Sequence, residues 1–547
     1  MARQPVVRHN DWGSLTPARL GDWEPTLSVT VVVPTFNYQH TLPYVLAGLA
    51  AQSYPAHLLE VVVVDDQSTP TQELPEVRPE RTRLIRVEDG WGRANACHLG
   101  ALAAEGDVLH WYDADMLAYR EEVEAHARWH HLVDYAVPGG HKLFVDPAPL
   151  LDLDPAVVRD RVAAGGAGDL FPDQQHERHQ WVEDYWAKTD DLRSAGPRAQ
   201  RFHIGMTGSV SKALYHDSAG FDRSLRLGED MHLGHSLAQA GGVFVVDREA
   251  RSWHLGRSQV LRRAEQVNRY NDPYLADLVP TMRPKRNRRG RAYQVPYLEV
   301  VLEAGPADET IHVVDSLLDG DVPDLRVSVV GPWSSVHEDR VQPVEDPVLE
   351  TRLVHRSYLH EPRVRLVEQA PVTSDAEFLL TLPDVSMAPL PASLPALLDD
   401  LERTHHGARL VSYDTGALAR FERTSALARV ARLAGHDDDR EALLDESFGV
   451  KAYPANDVGF VPVDLRVVER FTLGARPPMD PEKSEKRLRK ALEKAAETSG
   501  RPPGPEAIGP GDDSRDAGPD TGSDTGSDAG PDAGQDAGRR GLFGRRR

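Results

Sequence analysis

Two aspartates, Asp113 and Asp115, end the stretch "EGDVLHWYDAD", directly after a short apolar run. Paired carboxylates can hold a hard divalent cation through oxygen, or they can be ordinary acids in an acidic chain. Asp and Glu number 85 of 547 residues, and the same spacing recurs at Asp152/Asp154, Asp319/Asp321 and Asp437/Asp439, so the triplet alone decides nothing. Two further pairs invite the same question: Asp65-Asp66 after "EVVVV", and Glu229-Asp230 at the start of "EDMHLGHSLAQAG". His254 follows in "RSWHLGRS". His126, His130 and His131 stand at helical spacing, which could suggest zinc; the expectation for them is an exposed helix face.

The elements around these residues separate signal from decoy. Val29–Pro34 ("VTVVVP") and Glu60–Asp65 are β-branched and apolar throughout, as strands buried on both faces of a parallel sheet should be. Thr41–Gln52 reads as a helix, Arg83–Val87 as a third strand, Ala94–Ala104 as a second helix and Asp107–Tyr112 as a fourth strand. Strands alternating with helices imply a parallel α/β sheet. Ligands collect at the carboxyl ends of such strands, where Asp65, Asp66, Asp113 and Asp115 fall. The three other Asp-x-Asp matches sit in loop-like text.

With the strand exits placed, residues 28–256 resemble the family 2 glycosyltransferases with the A-type, Rossmann-like nucleotide-binding fold. The resemblance rests on "VTVVVPTFNYQHTLPYVLAGLAAQSYP", "EVVVVDDQST", "GRANACHLGALAAEGDVLHWYDAD" and "FDRSLRLGEDMHLGHSLAQAG", in the family's order. It implies a metal-dependent, inverting transfer of a sugar from a nucleotide-diphospho-sugar, UDP-linked by expectation, to a glycan, lipid-linked or other hydroxyl acceptor. A divalent cation, Mn²⁺ or Mg²⁺, would neutralise the departing diphosphate. By the same resemblance, Asp115 coordinates the metal and Asp113 contacts the ribose or the metal shell. Asp65 and Asp66 contact base and ribose, and Pro34, Thr35 and Asn37 form the first loop over the nucleotide. Arg93 pairs with base or phosphate. His254 is a further metal ligand, Asp230 the general base and Glu229 its acceptor-orienting partner, with those last two roles exchangeable. Trp181, Tyr185 and Trp186 either stack on a sugar or pack. Retention of configuration, nucleotidyl transfer and a non-catalytic scaffold remain open, although "PTFNYQ" lacks the Gly-rich basic loop that nucleotidyl transfer would want.

Composition bounds the rest. A formal charge of −22 disfavours nonspecific nucleic-acid binding. One cysteine, Cys97, excludes a disulfide framework. No signal-type leader and no membrane-spanning apolar run is read, so a cytoplasmic protein is expected, with weak membrane contact open to its basic segments. After a 1–27 extension and a 28–282 catalytic domain, "MRPKRNRRGRAY" starts a basic linker (283–296). Residues 297–470 then read as a second, degenerate α/β copy. In it Asp384 stands over Asp113 and Ser386 over Asp115, and "GVKAYPANDVGFVPVD" stands over the helix that begins at Glu229. A helix within 471–500 and a disordered Gly/Pro/Asp tail (501–547) complete the expectation.

Overall fold

The computed structural model describes residues 4–172, 176–257, 259–286, 291–339 and 341–463. The expected helix within 471–500 and the tail lie outside them.

Among the described residues of the first half, nine strands build two sheets. Strands β1 (Val29–Thr35) and β2 (Leu59–Asp65) are buried at every position. Their valines remove both faces of the sheet from water, at roughly 1.5–3 kcal/mol per side chain. With β3 (Thr82–Arg86), β4 (Val108–Trp111) and β8 (Ser209–Ser211) they run in the order β3-β2-β1-β4-β8, parallel except for the last. Helices α1 (Leu42–Ala50) and α2 (Arg93–Ala103) supply the crossovers. The second sheet takes the order β5-β9-β6-β7, from β5 (Met116–Ala118), β6 (Ala136–Val145), β7 (Glu177–Arg178) and β9 (Val243–Leu255). Helix α3 (Glu122–His130) lies between β5 and β6 in the chain.

The second half repeats this strand logic. Strands β10 (Leu298–Glu303), β11 (Leu325–Val330), β12 (Val364–Val367) and β13 (Phe378–Thr381) are parallel in the order β12-β11-β10-β13. Antiparallel β16 (Leu418–Arg423) follows, as β8 follows β4. Short β14 (Met387–Pro389) pairs antiparallel with β18 (Phe460–Pro462), as β5 pairs with β9. Strands β15 (Ala408–Ser412) and β17 (Val450–Pro454) run parallel, as β6 and β9 do.

One sequence alignment needs correcting. Gly449–Val463 holds β17, a 3-10 turn and β18, not a helix. The helix precedes it at Arg440–Ser447, where the Asp439 side chain accepts from the Glu441 and Ala442 amides as an N-cap. Pro454 and Pro462 make the downstream text a poor helix.

Both halves pack within one compact unit, with the N-terminal extension between them. The Asn10 amide donates to the Leu192 and Phe244 carbonyls, and His9 N donates to Ser447 O. Arg429, buried on helix Thr424–Leu433, donates to the carbonyls of Gly241 and Gly242 just past helix Glu229–Gln239. A cation there opposes the negative end of that helix dipole.

Candidate nucleotide-sugar and metal site

The carboxyl ends of β1, β2 and β4 bring the first-half acids to one rim. The hub is Arg93, the first residue of α2. Its guanidinium donates to Asp113 (2.8 Å), Glu229 (3.1 Å) and Asp230 (2.8 Å). Those carboxylates come from a β4 exit and from the first turn of helix Glu229–Gln239, far apart in the sequence. Gly228 precedes that helix at φ 82°, a left-handed conformation that suits glycine. Gly205 leans on the same cluster: a Cβ there would lie 2.1 Å from Asp230 Oδ1, so the close approach needs glycine.

Burial and crowding set the electrostatics. Glu229 is raised to about 7, first by burial and then by Asp230, against the pull of Arg93. Asp113 is raised by burial, then by Asp115 and Asp230, again opposed by Arg93. Burial works against the charge of Arg93, yet the surrounding acids hold its pKa well above the usual arginine value. The Arg93 Nη2 atom is buried without a hydrogen-bond partner, and so are Thr35 Oγ1 and Asp66 Oδ1. Orphaned polar atoms at one rim are what a bound polar ligand would satisfy.

Asp115 sits beside this hub. Its Oδ1 lies 4.0 Å from His254 Nε2, because β5 and β9 set Met116 opposite His254. That gap is too long for a hydrogen bond, so the two groups face each other without a direct bond. The Asp115 carboxylate also raises the Tyr38 phenol, as its largest influence. A carboxylate, an imidazole and the nearby Asp113 together fit Mn²⁺ or Mg²⁺ in donor type.

The first loop is ordered around Asn37, at φ 61°, whose Oδ1 accepts from Thr69 N while its own amide donates to Ser68 Oγ. Pro34 and Thr35 are buried at the end of β1. Asp66 Oδ2 accepts from Gly92 N at 2.7 Å, tying the second loop to the α2 start. Asp65 is turned inward: it is fully buried, and its oxygens accept from Ser68 N and Gln72 N in the following turn. Asn95 is spent on the loop, donating to Asp89 O and accepting from Arg223.

Sequence reasoning passed over Lys142. It is buried on β6, opposite Ser252, and burial lowers it to about 8, against Asp230, Asp113 and Glu183. A lone lysine in a strand carries no sequence signal. Of the three aromatics considered, Tyr185 stacks on Phe202 (3.8 Å) and Trp186 is buried, while Trp181 stays exposed. The exposed face expected for the α3 histidines is overturned. Every α3 residue is buried, His126 and His130 included, because the helix packs on β6 and β9.

In the second half, Asp384 Oδ1 accepts from Ser386 N and Ser386 Oγ, a local turn. Pro462 stands opposite Met387 where His254 stands opposite Met116. Ser386 and Pro462 can supply neither the carboxylate nor the imidazole found in the first half.

Residues 30–142 match the sequence model described as Glycosyl transferase family 2, which bears out the expected family for this segment. A 98-residue stretch is 32% identical to the 4,4'-diaponeurosporenoate glycosyltransferase of Staphylococcus haemolyticus (strain JCSC1435), covering 17% of this chain and 25% of that protein. The chain thus spans about a quarter of that relative. Similar solved structures include S. aureus TarS (14% identity, 47% of this chain and 43% of that one, TM-score 0.31). Another is the mannosyltransferase PcManGT from Pyrobaculum calidifontis in complex with GDP-Man and Mn²⁺ (20%, 51% and 70%, TM-score 0.30). No helix of the described residues is long and apolar enough to cross a membrane.

Proposed function

We propose that this protein is a metal-dependent inverting glycosyltransferase that moves a sugar from a UDP-sugar to a hydroxyl acceptor. The observation that carries the reading is the convergence of Asp113, Glu229 and Asp230 on Arg93, with Asp115 and His254 alongside. The family match over residues 30–142 supports it.

In this reading Asp115 and His254, with Asp113, would hold Mn²⁺ or Mg²⁺. When bound, the ion offsets the charge of the departing diphosphate. Arg93 holds the three carboxylates together against their mutual repulsion, and its unpartnered Nη2 is left for the donor phosphates. Asp66, with Pro34, Thr35 and Asn37, borders the nucleoside; Asp65 shapes the turn beneath it. Asp230 takes the proton from the acceptor oxygen as that oxygen attacks the anomeric carbon, and Glu229 orients the acceptor hydroxyl. Of the pair, Glu229 is the carboxylate raised toward neutrality, to about 7, which suits it to the same proton-accepting task, so the two roles are exchangeable. The second half, without an equivalent of Asp115 or His254, acts as a scaffold whose Arg429 secures the far end of the acid-bearing helix. The domain limits follow the sequence reading, with the extension 1–27 serving as packing between halves.

The test is nucleoside diphosphate release from a panel of UDP-, GDP- and dTDP-sugars, with Mn²⁺ or Mg²⁺ against chelator. Metal-dependent release of UDP, abolished in Asp115→Ala, is expected. Release that ignores chelator and survives in Asp115→Ala would refute the reading.

A further inference from the structure

A second cluster of ligating atoms lies behind β4, apart from the acids at its carboxyl end. His110 sits on β4, and Glu122 and His126 on α3. All three are buried at 1% exposure or less. His110 Nε2 is 2.9 Å from Glu122 Oε2, and His126 Nε2 is 3.3 Å from Glu122 Oε1. The ligand atoms all fall within 4.8 Å of one another.

The other ring nitrogens are already engaged. His110 Nδ1 lies 3.0 Å from Gly208 O, and His126 Nδ1 lies 2.9 Å from Ser209 Oγ. With Nδ1 of each ring tied to an oxygen, both Nε2 atoms are aimed at the carboxylate. This is how imidazoles are oriented around a metal, where the outer hydrogen bond fixes ring angle and tautomer. His126 Nε2 and Glu122 Oε1, 3.3 Å apart, face each other and have no other polar partner despite their burial. The backbone approaches closely there: a Cβ on Gly140 would come 2.9 Å from Ala250 O and 3.2 Å from His126 Nε2, so glycine lets the chain pass the ring.

A fully buried carboxylate must be offset by positive charge, since an isolated one costs many kcal/mol. A proton on one histidine could supply it, and so could a divalent cation. Two imidazoles and one carboxylate, gathered within 4.8 Å of one another, are donor types that zinc takes at arms of about 2.0–2.2 Å. Hard oxygen-seeking ions prefer more oxygens and more water than this closed site offers.

We propose that His110, Glu122 and His126 form a structural Zn²⁺ site, separate from the Asp115 site and independent of the proposed transfer reaction. The fourth position falls to the second carboxylate oxygen. Such an ion would clamp β4 to α3 and so stiffen the segment Asp113–Ala118 that the two elements enclose.

The test uses the tag-free full chain. After growth with zinc and brief dialysis against EDTA, elemental analysis should find about one zinc per chain. That zinc should persist in Asp115→Ala and be absent from His126→Gln. Replacement by Co²⁺ should give the intense visible bands of a tetrahedral N/O site, a readout on the wild-type protein that stands even where His126→Gln fails to fold. A wild-type chain that takes up no zinc at micromolar free metal and gives only weak octahedral Co²⁺ bands would overturn the proposal. So would zinc that is lost in Asp115→Ala and kept in His126→Gln.

Discussion

Removing the central guanidinium tests the electrostatic logic of the rim. In metal-free protein, Arg93→Gln leaves Asp113, Glu229 and Asp230 without their shared counter-ion. Each pair, at 2.8–3.1 Å, brings charge centres to about 4 Å, worth about 4 kcal/mol at an effective dielectric of 20. The carboxylates keep 12–28% side-chain exposure. Water and repacking therefore absorb much of the sum, and a loss of about 3 kcal/mol at pH 8 is expected, near the low end for breaking a buried pair. The sign of the pH dependence follows from Glu229, whose folded value of about 7 lies above its unfolded value near 4.5. For such an acid, stability is fully present below the unfolded pKa and is lost as pH rises through the folded one. Without Arg93 the folded values rise further, so the deficit of the variant should be largest at pH 8 and shrink to about 1 kcal/mol at pH 5. Melting curves from pH 5 to 8.5 without metal would read this as a depression of about 6 °C falling to about 2 °C. An equal depression across the range, or none, would refute the assignment of Arg93 as counter-ion to all three acids.

Four further outcomes are expected. Asp230→Asn should abolish turnover while donor affinity, measured by calorimetry, stays within about threefold, because the carbonyl keeps the Arg93 contact. His254→Ala should raise the Mn²⁺ concentration needed for half-maximal UDP release by about 10–100-fold; an unchanged value would remove His254 from the ligand set. Arg429→Met should leave the Gly241 and Gly242 carbonyls unpaired, costing about 1–3 kcal/mol in denaturant unfolding, and should lower kcat more than it alters metal affinity. Ser386→Ala should leave turnover intact, since Ser386 serves only a turn on Asp384.

The first sheet was legible because its strands are unbroken β-branched runs, and β1, β2, β3 and β4 lie within two residues of their expected limits. Asp113, Glu229 and Asp230 were legible by position, at a strand exit and a helix start. Their common partner was not: "GRAN" marks Arg93 as basic, but only the fold shows that it meets acids 20 and 136 residues away. The inward turn of Asp65 hides behind an identical neighbour, since adjacent residues leaving a strand face opposite ways. The α3 histidines look solvent-facing because "EVEAHARWH" alternates polar residues. Yet Glu124 bonds Trp23 and Gly21, and His130 bonds Ser209, so polar side chains are buried with partners supplied by distant chain. The helix Arg440–Ser447 was not legible from the alignment, because the two halves share strand order while their texts align only weakly.

The central claim is that acids distant in sequence meet to hold a divalent ion and a sugar nucleotide at the rim of the first sheet. Calorimetric titration of UDP into the full chain, with Mn²⁺, with chelator, and in Asp115→Ala with Mn²⁺, tests it most directly. The account predicts one-site binding with Mn²⁺ that weakens at least about tenfold in the other two arms. Equal affinity in all three would contradict it.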